Sequence, residues 1–175
     1  MKLYDISQEV FSCAVYPGDP KPEYRRICST ASGDVYNLTA FSMCAHNGTH
    51  IDAPFHFIDD GKRIDEIPLE KFIGFAYVFS HDGILTAADA KSALEKAAAC
   101  DPECAKRILM KGTATVSEEA AEVFADAGIF LFGNESQTVG PEDAPMKTHL
   151  ILLGAGVVLL EGIRLSGIED GKYLL

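Results

Sequence analysis

The sequence predicts a single-domain α/β protein with a mixed sheet. Its 175 residues are one domain's length, and 47% hydrophobic with 23% charged residues is ordinary for a globular chain. Strand patterns outnumber helical ones, and the two long helical patterns each fall between strands. This order is typical of an α/β sandwich.

The first half of the chain predicts a loop, a strand and one short helix. Prolines and a glycine crowd residues 14–23, which indicates a turn-rich loop. Residues 35–43 are β-branched and aromatic enough for a strand that leads into a histidine-rich segment. Pro68 and Gly74 bracket a short helix, with proline at its first position and glycine past its end.

The second half predicts the two long helices and most of the sheet. Thr86 to Asp89 is a capping box that opens a helix to about Ala99, and Ser117 to Ala127 is a second helix that Gly128 ends. The apolar face of the first helix is predicted to consist of Ala90, Leu94, Ala97 and Ala98. The strands are predicted at residues 75–79, 107–110, 129–132 and 149–161, the last broken by two glycines, with a further strand beginning at residue 171.

Charge and cysteine content exclude several classes of function. The net charge is −11 and the sequence pI is about 4.8, so nucleic acid and anionic membranes would be repelled. The five cysteines are odd in number and irregularly spaced, which indicates reduced thiols rather than a disulfide framework. No signal peptide or membrane-spanning segment is apparent, so we expect a cytoplasmic protein.

Three of the five histidines fall within eleven residues, at His46, His50 and His56, and Asp52 lies among them. Imidazole nitrogens and carboxylate oxygens are ligands for a borderline metal such as zinc. Gly48 and Pro54 oppose a helix here, and in an extended chain His50 and Asp52 would have Cα atoms about 7 Å apart. His46 would be about 13 Å from His50, so the chain must bend at Gly48 for both to reach one ion.

A fourth histidine, His149, precedes Glu161 by 12 positions across an apolar stretch. A carboxylate following Val157 to Leu160 would be costly without a partner, so a nearby cation is a reasonable inference. These residues are therefore added as candidate metal ligands.

The pattern His-x-Gly-Thr-His-x-Asp-x-Pro-x-His resembles the cyclase-like family of metal hydrolases, which includes bacterial kynurenine formamidases and isatin hydrolases. Residues 15–20 resemble the family's substrate-side loop, and residues 149–161 resemble its second metal-ligand segment. The resemblance implies a swivelling β/β/α-type fold in a single domain over residues 1–175. As a departure from the family, we expect the chain to lack the further C-terminal β structure of relatives. It also implies a homodimer or homotetramer.

The same resemblance implies a role for each candidate residue. His46, His50 and Asp52 would hold a first ion, and Asp52 would bridge to a second ion held by His149 and Glu161. His56 would be the catalytic proton shuttle, and Tyr16 would contact the substrate where formamidases often place tryptophan. The chain has no tryptophan, and its Gly133 to Gln137 loop differs from that of typical formamidases.

The predicted reaction is hydrolysis of a small amide, an N-formyl amine or a cyclic imide or lactam. Metal-bound hydroxide would attack the carbonyl, and His56 would act as general acid and base. Zinc is the expected metal and manganese also suits these ligands, with one or two ions bound. The alternatives are a metal-dependent lyase or cyclase, and a non-catalytic metal-binding protein with a closed ligand shell.

Overall fold

The computed structural model describes residues 2–175, which form ten strands and three α-helices. In chain order the strands are β1 (Glu23–Cys28), β2 (Leu38–Ser42), β3 (His50–Asp52), β4 (Phe75–Ser80), β5 (Gly83–Leu85), β6 (Arg107–Lys111), β7 (Ala114–Val116), β8 (Leu131–Asn134), β9 (Val158–Glu161) and β10 (Gly171–Leu174). The helices are α1 (Ala87–Cys100), α2 (Glu118–Asp126) and α3 (Met146–Gly154). None of these helices is long and apolar enough to cross a membrane.

A six-stranded mixed sheet, in the order β10-β4-β6-β8-β9-β3, is the centre of the fold. The four inner strands are parallel, and the two edge strands, β10 and β3, pair antiparallel with their neighbours. Parallel strands need connections that cross over the sheet, and helices supply them here. The predicted α/β fold with a mixed sheet is confirmed.

The sheet is covered on both faces, and alternate residues of each strand serve different cores. Ile108 and Met110 pack with the three helices, whereas Leu109 between them packs with the segment around Ile163 to Ile168 on the opposite face. Both faces of the inner strands are therefore apolar, as is usual for parallel sheets. Two-stranded sheets, β5–β7 and β1–β2, lie outside this centre.

The first long helix begins as the sequence predicts. The side chain of Thr86 accepts from the Asp89 amide, and the Asp89 carboxylate accepts from the Thr86 amide at 3.0 Å. Its buried face differs by one position from the prediction: Ala93 is buried and Ala98 is exposed. A face at positions 90, 93 and 97 follows the helical repeat, and Ala98 lies beyond its edge.

The predicted strand over residues 149–161 is wrong at its beginning. Residues 146–154 form α3, and only Val158–Glu161 is a strand. The run from Leu150 to Leu153 is apolar on consecutive positions, so it shows neither helical nor strand periodicity. Tertiary packing stabilises the helical conformation here, because Leu152 and Leu153 are buried among α1, α2 and the sheet.

Three smaller elements also differ from the prediction. Residues 35–43 give only β2, which pairs with β1 and is exposed along its length. The short helix near residue 70 is a single 3-10 turn, Leu69–Lys71. The strand near residue 130 begins at Leu131 and includes Asn134.

Candidate metal centre

The histidine-rich segment lies at one edge of the sheet and bends where the sequence predicts. Gly48 has a φ of 64°, and a Cβ there would approach within 2.7 Å of the Cys13 side chain, so glycine is required. After the bend, β3 pairs with β9 so that His50 lies directly opposite Glu161. A 3-10 turn, Pro54–His56, then directs the chain back over Asp52.

The second group of candidates comes from the neighbouring part of the fold. His149 lies in the first turn of α3, and its Nδ1 is 2.8 Å from the Pro145 carbonyl oxygen. Its Nε2 is 3.3 Å from Glu161 Oε1 and 3.7 Å from Asp52 Oδ2. The structure therefore brings a helix, an edge strand and its partner strand to one point.

All six candidates for metal binding and proton transfer meet around Asp52. His46 Nδ1 is 2.8 Å and His50 Nε2 is 3.5 Å from Asp52 Oδ1, and His56 Nε2 is 3.8 Å from Asp52 Oδ2. Two groups have ligand atoms within 4.8 Å of one another: one is His46, His50 and Asp52, and the other is Asp52, His149 and Glu161. Asp52 belongs to both groups, which is the arrangement that a bridging carboxylate needs.

The separations between these atoms fit a metal centre better than a hydrogen-bond network. Several nitrogen–oxygen pairs lie 3.3–3.8 Å apart, which is too long for a good hydrogen bond. Ligands about 2.0–2.1 Å from a tetrahedral zinc would be separated by roughly 3.4 Å. Asp52 Oδ1 is buried and accepts no hydrogen bond of suitable angle from residues 2–175.

The charge of the site also fits a cation. Asp52 and Glu161 are 1% and 2% exposed, and over the described residues only histidines lie within ion-pair distance of them. Two buried carboxylates without an arginine or lysine would be costly, and a divalent ion would neutralise them. The residues present therefore fit a divalent metal.

The histidine orientations suit coordination as well. His50 Nδ1 is 3.0 Å from the Gly48 carbonyl oxygen, just as His149 Nδ1 contacts Pro145. Nδ1 donates its proton in both contacts, which leaves the Nε2 lone pair directed at the carboxylates. Backbone contacts of this kind fix the tautomer of metal-binding histidines.

In the metal-free protein, protons would compete for these nitrogens. Burial opposes protonation of His50 and His149, but Glu161 and the backbone contacts outweigh it and raise the pKa of both above 6.5. For Asp52, burial opposes ionisation, yet the nearby imidazoles keep its pKa below 3.8.

Metal affinity should therefore fall with acidity. Protonated imidazole cannot bind a metal. As the pH is lowered, the apparent dissociation constant for the metal should therefore begin to rise before pH 6.5 is reached and should rise steeply below pH 6.5. Calorimetric zinc titrations between pH 8 and pH 5.5 would measure this. An affinity that does not change between pH 8 and pH 5.5 would contradict the assignment of His50 and His149 as ligands.

A cavity of about 280 Å³ opens onto the cluster. His46 and His56 stand at its side, with rings stacked 4.0 Å apart, and their side chains are 29% and 35% exposed. Burial lowers the pKa of His56, and the neighbouring imidazoles of His46 and His149 act in the same direction. A neutral His56 can accept a proton from a molecule in the cavity.

Tyr16 also lines the cavity, and its hydroxyl donates to the Glu142 carbonyl oxygen at 3.1 Å. Six further lining residues were not predicted as site residues from the sequence: Asp19, Cys44, Phe57, Gln137, Thr138 and Pro145. The departure of the residue 133–137 loop from the formamidase pattern pointed to one of them. Asp19 lies in residues 15–20, which resemble the family's substrate-side loop. The remaining four carried no signal of their own.

Comparison with known proteins shows which family the chain belongs to. Residues 4–141 match the family model described as "Putative cyclase". The chain is also 33% identical to the kynurenine formamidase of Salinibacter ruber, with all of this chain and 88% of that protein covered. The chain belongs to the cyclase family. The resemblance drawn from the histidine pattern is thereby confirmed.

Solved structures share the fold of this cyclase family member. A predicted metal-dependent hydrolase from Bacillus stearothermophilus superposes with a TM-score of 0.77 at 26% identity, over 99% of this chain and 87% of that one. Isatin hydrolase A from Labrenzia aggregata gives a TM-score of 0.73 at 22% identity, over 92% and 80% of the two chains. The second likeness concerns the fold alone.

Proposed function

We propose that this protein hydrolyses a small amide, an N-formyl amine or a cyclic imide or lactam with the help of a divalent metal. The observation that carries the proposal is the convergence of His46, His50, Asp52, His149 and Glu161 beside an open cavity. Relatives named kynurenine formamidase support amide hydrolysis as the reaction class. The cavity argues against a purely structural metal site, which would have a closed ligand shell.

The five proposed ligands divide into two sets that share Asp52. His46, His50 and Asp52 would hold one ion, and Asp52, His149 and Glu161 a second. Zinc is the metal we propose, with manganese as the alternative, because imidazole and carboxylate suit both. The metal would polarise the substrate carbonyl and lower the pKa of a water molecule towards about 7.

The protein's own groups would position the substrate and move the proton. His56 would accept a proton from the attacking water and return it to the nitrogen that leaves the carbonyl carbon. His56 lies at the cavity wall, 3.8 Å from Asp52 and beside the proposed ligands, without the fixed backbone contact that His50 and His149 make. Tyr16 and Phe57 would bracket an apolar part of the substrate.

The experiment that tests the function is a metal analysis followed by an activity screen. Protein purified without added metal should contain zinc or manganese, and a panel of N-formyl aromatic amines, lactams and cyclic imides should include a hydrolysed compound. Loss of that activity with a chelator, and its return with zinc, would support the proposal. If the products were those of elimination, cyclic or open-chain, and not those of hydrolysis, the result would favour a lyase.

We also propose that the protein is a homodimer or homotetramer. The β1–β2 arm, residues 21–43, is a hairpin exposed along both strands, and an isolated hairpin is only marginally stable in water. Tyr24 and Phe41 lie opposite each other and are 62% and 63% exposed. The arm has three basic and two acidic residues, whereas the whole chain has a net charge of −11, so it suits the acidic body of a second copy.

The substitution Phe41→Glu should therefore shift the protein towards the monomer, because it places a charge in the apolar contact. Sedimentation velocity would measure the change, with Leu69→Glu as a control at an exposed apolar site outside the arm. A monomeric parent protein, or an unchanged sedimentation coefficient in Phe41→Glu, would refute this interface.

A cytoplasmic location remains our proposal. All five cysteines are free, including Cys100 and Cys104 on and just after α1. Free thiols are typical of a reducing compartment.

A further inference from the structure

We propose that Gln8 and Thr49 are positioning residues that hold the two ligand groups of the metal centre at a fixed separation. The inference rests on the proposed metal-dependent function and adds to it two residues that do not line the cavity. It follows from hydrogen bonds that end one position away from a proposed ligand on each of two neighbouring strands.

The pairing between the two ligand-bearing strands is short. β3 is a three-residue edge strand, and its ladder with β9 ends at the pair His50 and Glu161. In an antiparallel ladder the next pair would be Thr49 and Gly162. The Gly162 amide donates instead to the Ser136 carbonyl oxygen at 2.7 Å, so the ladder does not continue. The backbone therefore stops joining the strands just beyond the proposed ligands.

Side chains join the strands at this point. The Thr49 hydroxyl donates to the Gly162 carbonyl oxygen at 2.8 Å and accepts from the Gln8 amide at 2.9 Å. The side-chain nitrogen of Gln8 donates to the same Gly162 oxygen at 2.7 Å. Two donors from different segments thus meet on the carbonyl oxygen of the residue that follows Glu161.

The N-terminal segment also fixes the bend that precedes His50. The side-chain oxygen of Gln8 accepts from the Ala14 amide at 2.8 Å, and the Ala14 carbonyl oxygen accepts from the Gly48 amide at 2.9 Å. The Gly48 carbonyl oxygen lies 3.0 Å from His50 Nδ1. Gln8 is therefore connected to His50 through Ala14 and Gly48.

The two connections meet where the backbones are in close contact. Gly162 has a φ of 70°, and a Cβ there would overlap the Gly48 carbonyl oxygen. This is the oxygen that orients His50, so the end of β9 packs directly against it. A shift of Gly162 would therefore change the position of Glu161 relative to His50.

The separation that these contacts set concerns both ligand groups. His50, which is grouped with His46 and Asp52, has its Nε2 3.4 Å from Oε2 of Glu161, which is grouped with Asp52 and His149. Metal–ligand distances must be correct to within about 0.2 Å, so looser pairing of the strands should weaken metal binding. Groups that orient metal ligands typically contribute about 10- to 100-fold in affinity.

Metal binding tests the inference without a substrate. Zinc would be titrated calorimetrically into the full metal-free chain and into its Gln8→Met, Thr49→Val and Thr49→Ser variants. Each protein would also be loaded with cobalt(II), whose visible absorption depends on the geometry of its ligands. Methionine and valine approximate the size of the native side chains and remove the hydrogen bonds, whereas serine keeps the hydroxyl.

Thr113→Val is the matched control, because it removes a 3.0 Å hydrogen bond from a threonine hydroxyl to Asp82, outside the metal cluster. Thermal unfolding of each metal-free protein would verify folding. Gln8 lies in a partly exposed loop, so Gln8→Met decides the question if Thr49→Val does not fold.

Gln8→Met and Thr49→Val should each weaken zinc binding roughly 10-fold and change the cobalt spectrum, whereas Thr49→Ser and Thr113→Val should match the parent. A purely structural role would lower the unfolding temperature but leave zinc affinity and the cobalt spectrum unchanged, and that result would overturn the inference. Equal losses in Thr49→Ser and Thr49→Val would also overturn it. A parent chain that bound no zinc would refute the proposed metal centre itself, and this inference with it.

Discussion

Replacing Asp52 with alanine should remove both the metal and the activity. Asp52 is 1% exposed, belongs to both groups of potential ligands and contacts four histidines. Without its carboxylate, each group would be reduced to two ligands. Loss of a group that orients ligands already costs 10- to 100-fold in metal affinity, and loss of a shared ligand should cost at least about 100-fold.

Metal content by mass spectrometry after dialysis, with turnover of the best amide substrate, would test this prediction. Asp59→Ala is a suitable control, because Asp59 is an exposed acidic residue just beyond the histidine-rich segment. Asp52→Ala protein that kept the metal content of the parent would show that Asp52 is not a bridging ligand.

Replacing His56 with alanine should leave the metal in place and reduce turnover by roughly 10²–10⁴-fold, the usual contribution of a general acid–base group. His56 lies 3.8 Å from Asp52 at the cavity wall, and burial keeps its pKa below 6.5. It is therefore neutral at pH 7 in the metal-free protein and able to accept a proton. The loss should appear mainly in kcat, because the substrate would still bind to the metal and the cavity walls.

His81→Ala is the matched control for this second variant. His81 lies outside the metal cluster, where its Nε2 is 3.2 Å from the Ile84 carbonyl oxygen, so turnover should not change. Parallel measurement of bound metal and kcat would separate the possibilities. Loss of metal from His56→Ala would make His56 a ligand, and unchanged kcat would exclude it from proton transfer.

The cluster of candidate ligands could be predicted largely because its residues are concentrated in the sequence. Three histidines and an aspartate lie within eleven positions, and the glycine that permits the bend lies between them. The bend itself depends on a local property, the positive φ of Gly48, which a sequence can indicate. His149 and Glu161 were predicted as candidates from the resemblance and from the cost of a buried carboxylate.

Features that depend on packing between distant segments could not be predicted in this way. The segment before residue 155 is a helix because Leu152 and Leu153 pack against the other helices, although the residues have no helical period. The position of Thr138 at the cavity wall became visible only in the folded chain. Strand β2 fits strand propensity but does not enter the main sheet, since its partner is β1.

We propose that one divalent cation or two are held between the histidine-rich segment and the His149–Glu161 pair. A crystal grown with zinc and measured on both sides of the zinc absorption edge tests it most directly. We predict an anomalous peak within coordination distance of Asp52 and of nitrogens from His46 and His50 or His149. The absence of an anomalous peak at this position, with direct hydrogen bonds joining these side chains, would contradict the account.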